Sequence, residues 1–81
     1  MIRLFTKTGC PWCVDAVAAL NAKGMEFEEI DVRKDPEAFE EMKELSGQSK
    51  APTMQLPDGS VLPDFDVAEM EAFFREKGIQ P

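Results

Sequence analysis

Histidine and tyrosine are absent from this 81-residue chain, tryptophan occurs once and cysteine twice. The missing histidine closes off much of metal chemistry. Two cysteines supply half of a tetrahedral zinc site, and the absence of any other Cys and of His argues strongly against a structural zinc within one chain. Haem attachment needs a histidine directly after the second cysteine of a Cys-x-x-Cys pair, where this chain has Val14. Long apolar runs are also missing: none approaches the roughly 20 residues of a membrane span, and Met1-Ile2-Arg3-Leu4-Phe5 reads as a strand rather than a signal peptide. The cytoplasm is therefore the expected compartment. Basic residues are scarce, with 9 Lys and Arg against 16 Asp and Glu, a net charge of −7 and an isoelectric point near 4.4. That balance opposes affinity for nucleic acid or for an anionic membrane surface, and neither is expected as a partner.

What is present fits one domain spanning residues 1–81, near the lower size limit for a self-sufficient core, with an ordinary 43% hydrophobic content. The acidic residues concentrate between Glu26 and Glu44 and between Asp58 and Glu76, where solvated helix faces are the plain explanation. Lys7 and Lys50 lie outside those runs, which allows a local positive site on an acidic protein.

Both cysteines fall in Cys10-Pro11-Trp12-Cys13. If Pro11 takes the first helical position, where its missing N–H is no loss, Cys10 becomes the N-cap and Cys13 lies one turn inside on the same face. The two sulfurs then meet. Unsatisfied amides and the positive end of the helix dipole favour a thiolate at Cys10, which is expected to be the more acidic thiol. Cys13, deeper in the helix, fits a resolving role: attack on a disulfide leaves a mixed disulfide at Cys10, which Cys13 breaks by attacking the same sulfur. A permanent structural bridge is the blander reading, but closing so small a loop removes little chain entropy and makes a poor staple. Redox work is favoured, with an iron–sulfur cluster shared between two protomers as the other option at this spacing.

Along the chain, Ile2 to Thr6 reads as a buried strand, and Thr8-Gly9 turns it into a helix over 11–23, where Val14, Val17 and Leu20 recur at helical spacing before Gly24. Phe27, Ile30 and Val32 mark a second strand, parallel to the first. Asp35-Pro36 opens a helix over 36–45 with a Phe39, Met42 and Leu45 stripe, closed by Gly47. Thr53 to Leu56 enters the turn Pro57-Asp58-Gly59, and Val61-Leu62 returns antiparallel. Asp66 and Glu69 resemble a capping box for a last helix over 67–77, with Phe65 stapled to Met70 and a core face of Val67, Met70, Phe73 and Phe74. The order β-α-β-α-β-β-α predicts an α/β fold with a mixed four-stranded sheet covered by three helices.

These residues resemble the thioredoxin superfamily, and within it the small glutaredoxins, over essentially the whole chain. Phe5-Thr6-Lys7-Thr8-Gly9-Cys10-Pro11-Trp12-Cys13 looks like their active-site loop, with Trp12 where Tyr is common. Gly47-Gln48-Ser49-Lys50-Ala51-Pro52-Thr53 looks like the loop before their third strand. The resemblance implies a thioredoxin-like fold, a cis bond at Ala51-Pro52, and an Ala51 backbone able to pair with a substrate cysteine. It implies that Lys7 holds the glycine carboxylate of glutathione and that Phe65 and Asp66 receive its γ-glutamyl end. Pro11 and Trp12 would wall the substrate, and Lys50 flanks the cysteine loop. The family's Gly-Gly before the last helix is Pro63-Asp64 here, which removes room for close backbone approach and adds a carboxylate.

The activity so implied is that of a thiol–disulfide oxidoreductase reducing protein disulfides or glutathione mixed disulfides through a Cys10/Cys13 cycle, with no bound cofactor or metal and glutathione as co-substrate. Expected partners are glutathione, disulfide-containing proteins and a reductase, the protein itself being a monomer. One alternative keeps the chemistry and changes the donor: a redoxin recharged by thioredoxin reductase and serving ribonucleotide reductase. Another is a carrier of a glutathione-ligated [2Fe–2S] cluster, against which Pro11 argues.

Overall fold

A computed structural model describes residues 1–79. Its elements run β1 (Ile2–Thr6), α1 (Pro11–Ala22), β2 (Phe27–Asp31), α2 (Pro36–Ser46), β3 (Thr53–Gln55), β4 (Val61–Pro63) and α3 (Val67–Lys77), in the order expected. The sheet order is β2-β1-β3-β4, with β2 parallel to β1 and the other neighbours antiparallel.

β1 is almost continuously buried because helices cover both faces of the sheet, and its alternation sorts side chains between two cores. Ile2 and Leu4 join Ala16 and Leu20 of α1, Met54 of β3, and Met70 and Phe74 of α3. Phe5 points the other way, to Val32 and to Ala38 and Met42 of α2. Arg3 shares that second face. Its guanidinium lies 5.0 Å from the Phe5 ring centre and binds both carboxylate oxygens of Glu41 at 2.8 and 2.6 Å, tying α2 to the central strand.

Each helix begins as its sequence dictates. Asp35 caps α2 by accepting from the Ala38 amide at 3.2 Å, and Pro36 fills the first turn. Asp66 and Glu69 form the capping box of α3: the Glu69 amide donates to Asp66 at 2.8 Å and the Asp66 amide to Glu69 at 3.3 Å. Gly47 ends α2 at φ +74, a conformation that side chains resist. The Pro57-Asp58-Gly59 turn is closed by the Asp58 carboxylate, which accepts from the Ser60 amide at 2.8 Å.

Boundaries differ from expectation by about a residue: α1 stops at Ala22, α2 reaches Ser46 and β3 stops at Gln55. The core face of α1 differs more. Its buried residues are Cys13, Ala16 and Leu20, whereas Val14 is 66% exposed. Four alanines in this helix discriminate poorly between faces, so burial of Cys13 beside the sheet sets the helix rotation and turns Val14 outward. Among the described residues no helix is long and apolar enough to cross a membrane.

Candidate active site

The end of β1, the start of α1, the loop before β3 and the start of α3 meet at one edge of the molecule, where the parallel strands end. Gly9, at φ +86, turns the chain out of β1, and the Cys10 amide closes that turn on the Lys7 carbonyl at 3.2 Å. Cys10 is then extended, at φ −95 and ψ 110, and caps α1, with Pro11 opening the helix. Its sulfur accepts a hydrogen bond from the Cys13 amide at 3.2 Å. The Cys10 thiol is partly exposed and directed at the Ala51 carbonyl, 3.9 Å away.

Cys13 has the opposite surroundings. It is 3% exposed, and both cysteines are free thiols. Burial pushes the Cys13 thiol up to about 12, helped by its hydrogen bond with Cys10 and by the negative fields of Cys10 and Glu29, while the Lys7 backbone opposes the rise. Cys13 is therefore a neutral thiol near neutral pH, and an accessible sulfur stands in front of a protonated, protected one.

The cleft in front of Cys10 has a volume of about 550 Å³. Lys7, Cys10, Pro11, Trp12, Lys50, Ala51, Phe65 and Asp66, singled out in the sequence, all border it. Pro52 does not: it is buried beneath the cleft, joined to Ala51 by a cis bond. Phe65 is 2% exposed and belongs to the core around Leu4 and Met54, so it forms floor rather than a binding side chain. Trp12, 60% exposed, stands over the rim as an apolar wall.

Neither lysine is unpartnered. Lys7 Nζ donates to the Ser49 carbonyl at 2.7 Å and lies 5.4 Å from the Phe39 ring centre, bracing the loop before β3. Lys50 Nζ is 3.9 Å from the Asp64 carboxylate. Gly9, Asp64 and Glu69 also border the cleft, although the sequence had marked them only as a turn, a departure from Gly-Gly and a capping partner. Asp64 adopts φ +48, a left-handed conformation that Asp tolerates better than most residues and that the family's glycine would adopt freely. Pro63-Asp64 thus places a carboxylate at this turn, beside the cleft.

A smaller cavity of about 270 Å³ opens behind the motif between Cys13, Val14 and Val17 and the strand ends. Thr6 donates to Glu29 at 3.0 Å and Thr8 donates to Asp31 across its rim. The Thr8 hydroxyl, with the Arg33 amide, holds the Asp31 carboxyl below the usual carboxylate range.

Two cysteines at a helix start, beside a cis-proline loop and on a mixed sheet with three helices, define a thioredoxin-fold protein of redox type. The glutaredoxin family model matches residues 2–59, and the chain belongs to the glutaredoxin family. An uncharacterised glutaredoxin-like 8.6 kDa protein in the rubredoxin operon of Clostridium pasteurianum is 34% identical over 71 residues, 88% of this chain and 93% of that one. Glutaredoxin 3 of Escherichia coli is 35% identical over 51 residues, covering 63% of this chain and 61% of that one. Among solved structures, the glutaredoxin-like NrdH-redoxin of Escherichia coli, described as having a thioredoxin-like activity profile, superposes with a TM-score of 0.74 at 25% identity over 88% of this chain and 91% of that one. The glutaredoxin of Archaeoglobus fulgidus superposes at 0.78 over 91% of this chain and 85% of that one, and at 19% identity it shows the shared fold.

Proposed function

We propose that this protein reduces protein disulfides through a dithiol–disulfide cycle in which Cys10 is the nucleophile and Cys13 the resolving thiol. The observation that carries the reading is the pairing of an accessible Cys10 sulfur, hydrogen-bonded by the Cys13 amide at 3.2 Å, with a Cys13 thiol that is 3% exposed. A hydrogen bond from a cap amide supports charge on sulfur, and the thiolate is the attacking species. Cys10 attacks one sulfur of the substrate, forming a mixed disulfide and expelling the other half as a thiolate that takes a proton from water. Cys13 then gives its proton to water and attacks the Cys10 sulfur, so that the Cys10–substrate bond breaks and a Cys10–Cys13 bond forms. Two electrons pass from the dithiol to the substrate.

The Ala51 carbonyl beside Cys10 supports extended pairing of a substrate backbone across the cleft, with Trp12 and Pro11 as the apolar wall. Glutathione as the reductant is supported by the family match and by Lys7 and Asp66 bordering the cleft. A dithiol donor of the thioredoxin reductase kind is favoured by Asp64, which adds a carboxylate where a glutathione carboxylate would lie, and by the likeness to a redoxin with a thioredoxin-like activity profile. We infer the dithiol donor. A coupled assay on a protein disulfide, fed either by glutathione with its reductase or by thioredoxin reductase, tests this directly. Faster turnover with thioredoxin reductase is expected, and turnover with glutathione alone would reverse the assignment.

A further inference from the structure

The cleft beside Cys10 has walls of opposite sign. Lys7 and Lys50 stand on the loop side, and Asp64, Asp66 and Glu69 on the α3 side. Lys7 is held by the Ser49 carbonyl, and Lys50 alone faces a carboxylate across the gap, at 3.9 Å from Asp64. Asp66 and Glu69 accept each other's amides in the capping box, but a hydrogen bond from an amide leaves a carboxylate its full charge. The α3 wall therefore offers three exposed carboxylates against two ammoniums on the loop side, of which Lys50 alone reaches across to it.

Resting on the reading of this cleft as a disulfide-reducing site, we propose that Asp64 and Glu69 select its substrate, admitting protein cysteines that carry a neighbouring lysine or arginine in preference to cysteines flanked by carboxylates. A cationic side chain lying along α3 takes Asp64 from Lys50, and little is lost, because an exposed ion pair is weak. The released Lys50 then turns to the carbonyls or carboxylate on the other side of the substrate. An anionic flank meets like charge on the α3 wall, which raises the cost of approach and slows encounter. Glutathione, with two carboxylates and one ammonium, falls on the disfavoured side.

Two homodimeric peptide disulfides that differ only in Lys or Glu beside the cysteine test the proposal, in single-turnover reduction by the pre-reduced protein at low ionic strength. The lysine peptide is expected to react about tenfold faster, a ratio that shrinks with added salt. In D64N/E69Q the ratio falls to about twofold, because two charges at the site are gone. Asn tolerates the left-handed backbone at position 64 and Gln preserves the capping box, so the fold is kept. The control E28Q/E37Q removes the same charge from the groove between β2 and α2 and keeps the wild-type ratio. Equal rates for the two peptides, or a ratio that survives D64N/E69Q, overturn the selection. Reduction of neither peptide overturns the disulfide-reducing reading itself.

Discussion

The Cys13 amide donates to the Cys10 sulfur at 3.2 Å while the Cys13 thiol sits 3% exposed one turn deeper, so one residue holds its neighbour's sulfur at the cleft and keeps its own out of it. The asymmetry arises from the helix start. Cys10 lies at the cap of α1, where its side chain faces both the cleft and a helix amide, and Cys13 is carried by the same helix against the sheet.

Alkylation separates the two thiols. Near pH 8 the folded, reduced protein should take up a single iodoacetamide, at Cys10, because Cys13 is both shielded and protonated to about 12. Peptide mapping reads the site. Two labels at comparable rates without denaturant would contradict the buried position of Cys13.

Stability should depend on pH in a way that only the reduced form shows. The Cys13 thiol releases its proton near 9.0 in an unfolded chain and near 12 in the folded one. Above about pH 9 the unfolded state binds fewer protons, so the reduced protein loses stability as pH rises through that window, and below it the contribution is constant. The oxidised protein has no such thiol. Urea midpoints of the two forms at about pH 8 and about pH 10.5 should therefore diverge, the reduced form falling further.

Trp12, 60% exposed between the two cysteines, should report the redox state. Its emission is expected to change when dithiothreitol opens the Cys10–Cys13 bridge, and the change should vanish in Cys13→Ser. An emission insensitive to reduction would separate the indole from the sulfurs.

Packing, not surface charge, should dominate stability. Leu20 is fully buried between α1 and the sheet, and Leu20→Ala should cost about 2–5 kcal/mol. Asp66→Ala removes the cap of α3 and should cost about 1 kcal/mol. Glu41→Gln breaks a half-exposed pair with Arg3 and should cost less than about 1 kcal/mol. Denaturant melts measure all three.

The seven elements were legible because each helix announces its start and stop locally, by Cys10-Pro11, Asp35-Pro36 and the Asp66–Glu69 box, and the sheet by its apolar runs. The paired cysteines were legible for the same reason: three residues of helix bring them together. What sequence did not disclose depends on contacts far along the chain. Lys50 meets Asp64 only through the fold, and the burial of Pro52 beneath the cleft depends on the elements packed around its loop. Val14 misled because its alanine-rich helix carries a weak facial pattern, and the seat of Cys13 decides which side turns inward.

The most direct measurement is mass spectrometry of the adduct trapped during reduction of a protein disulfide by the Cys13→Ser and Cys10→Ser variants. The account predicts a stable mixed disulfide on Cys10 in the first variant and neither adduct nor reduction in the second. An adduct carried by Cys13 in the Cys10→Ser protein, with reduction retained, would contradict it.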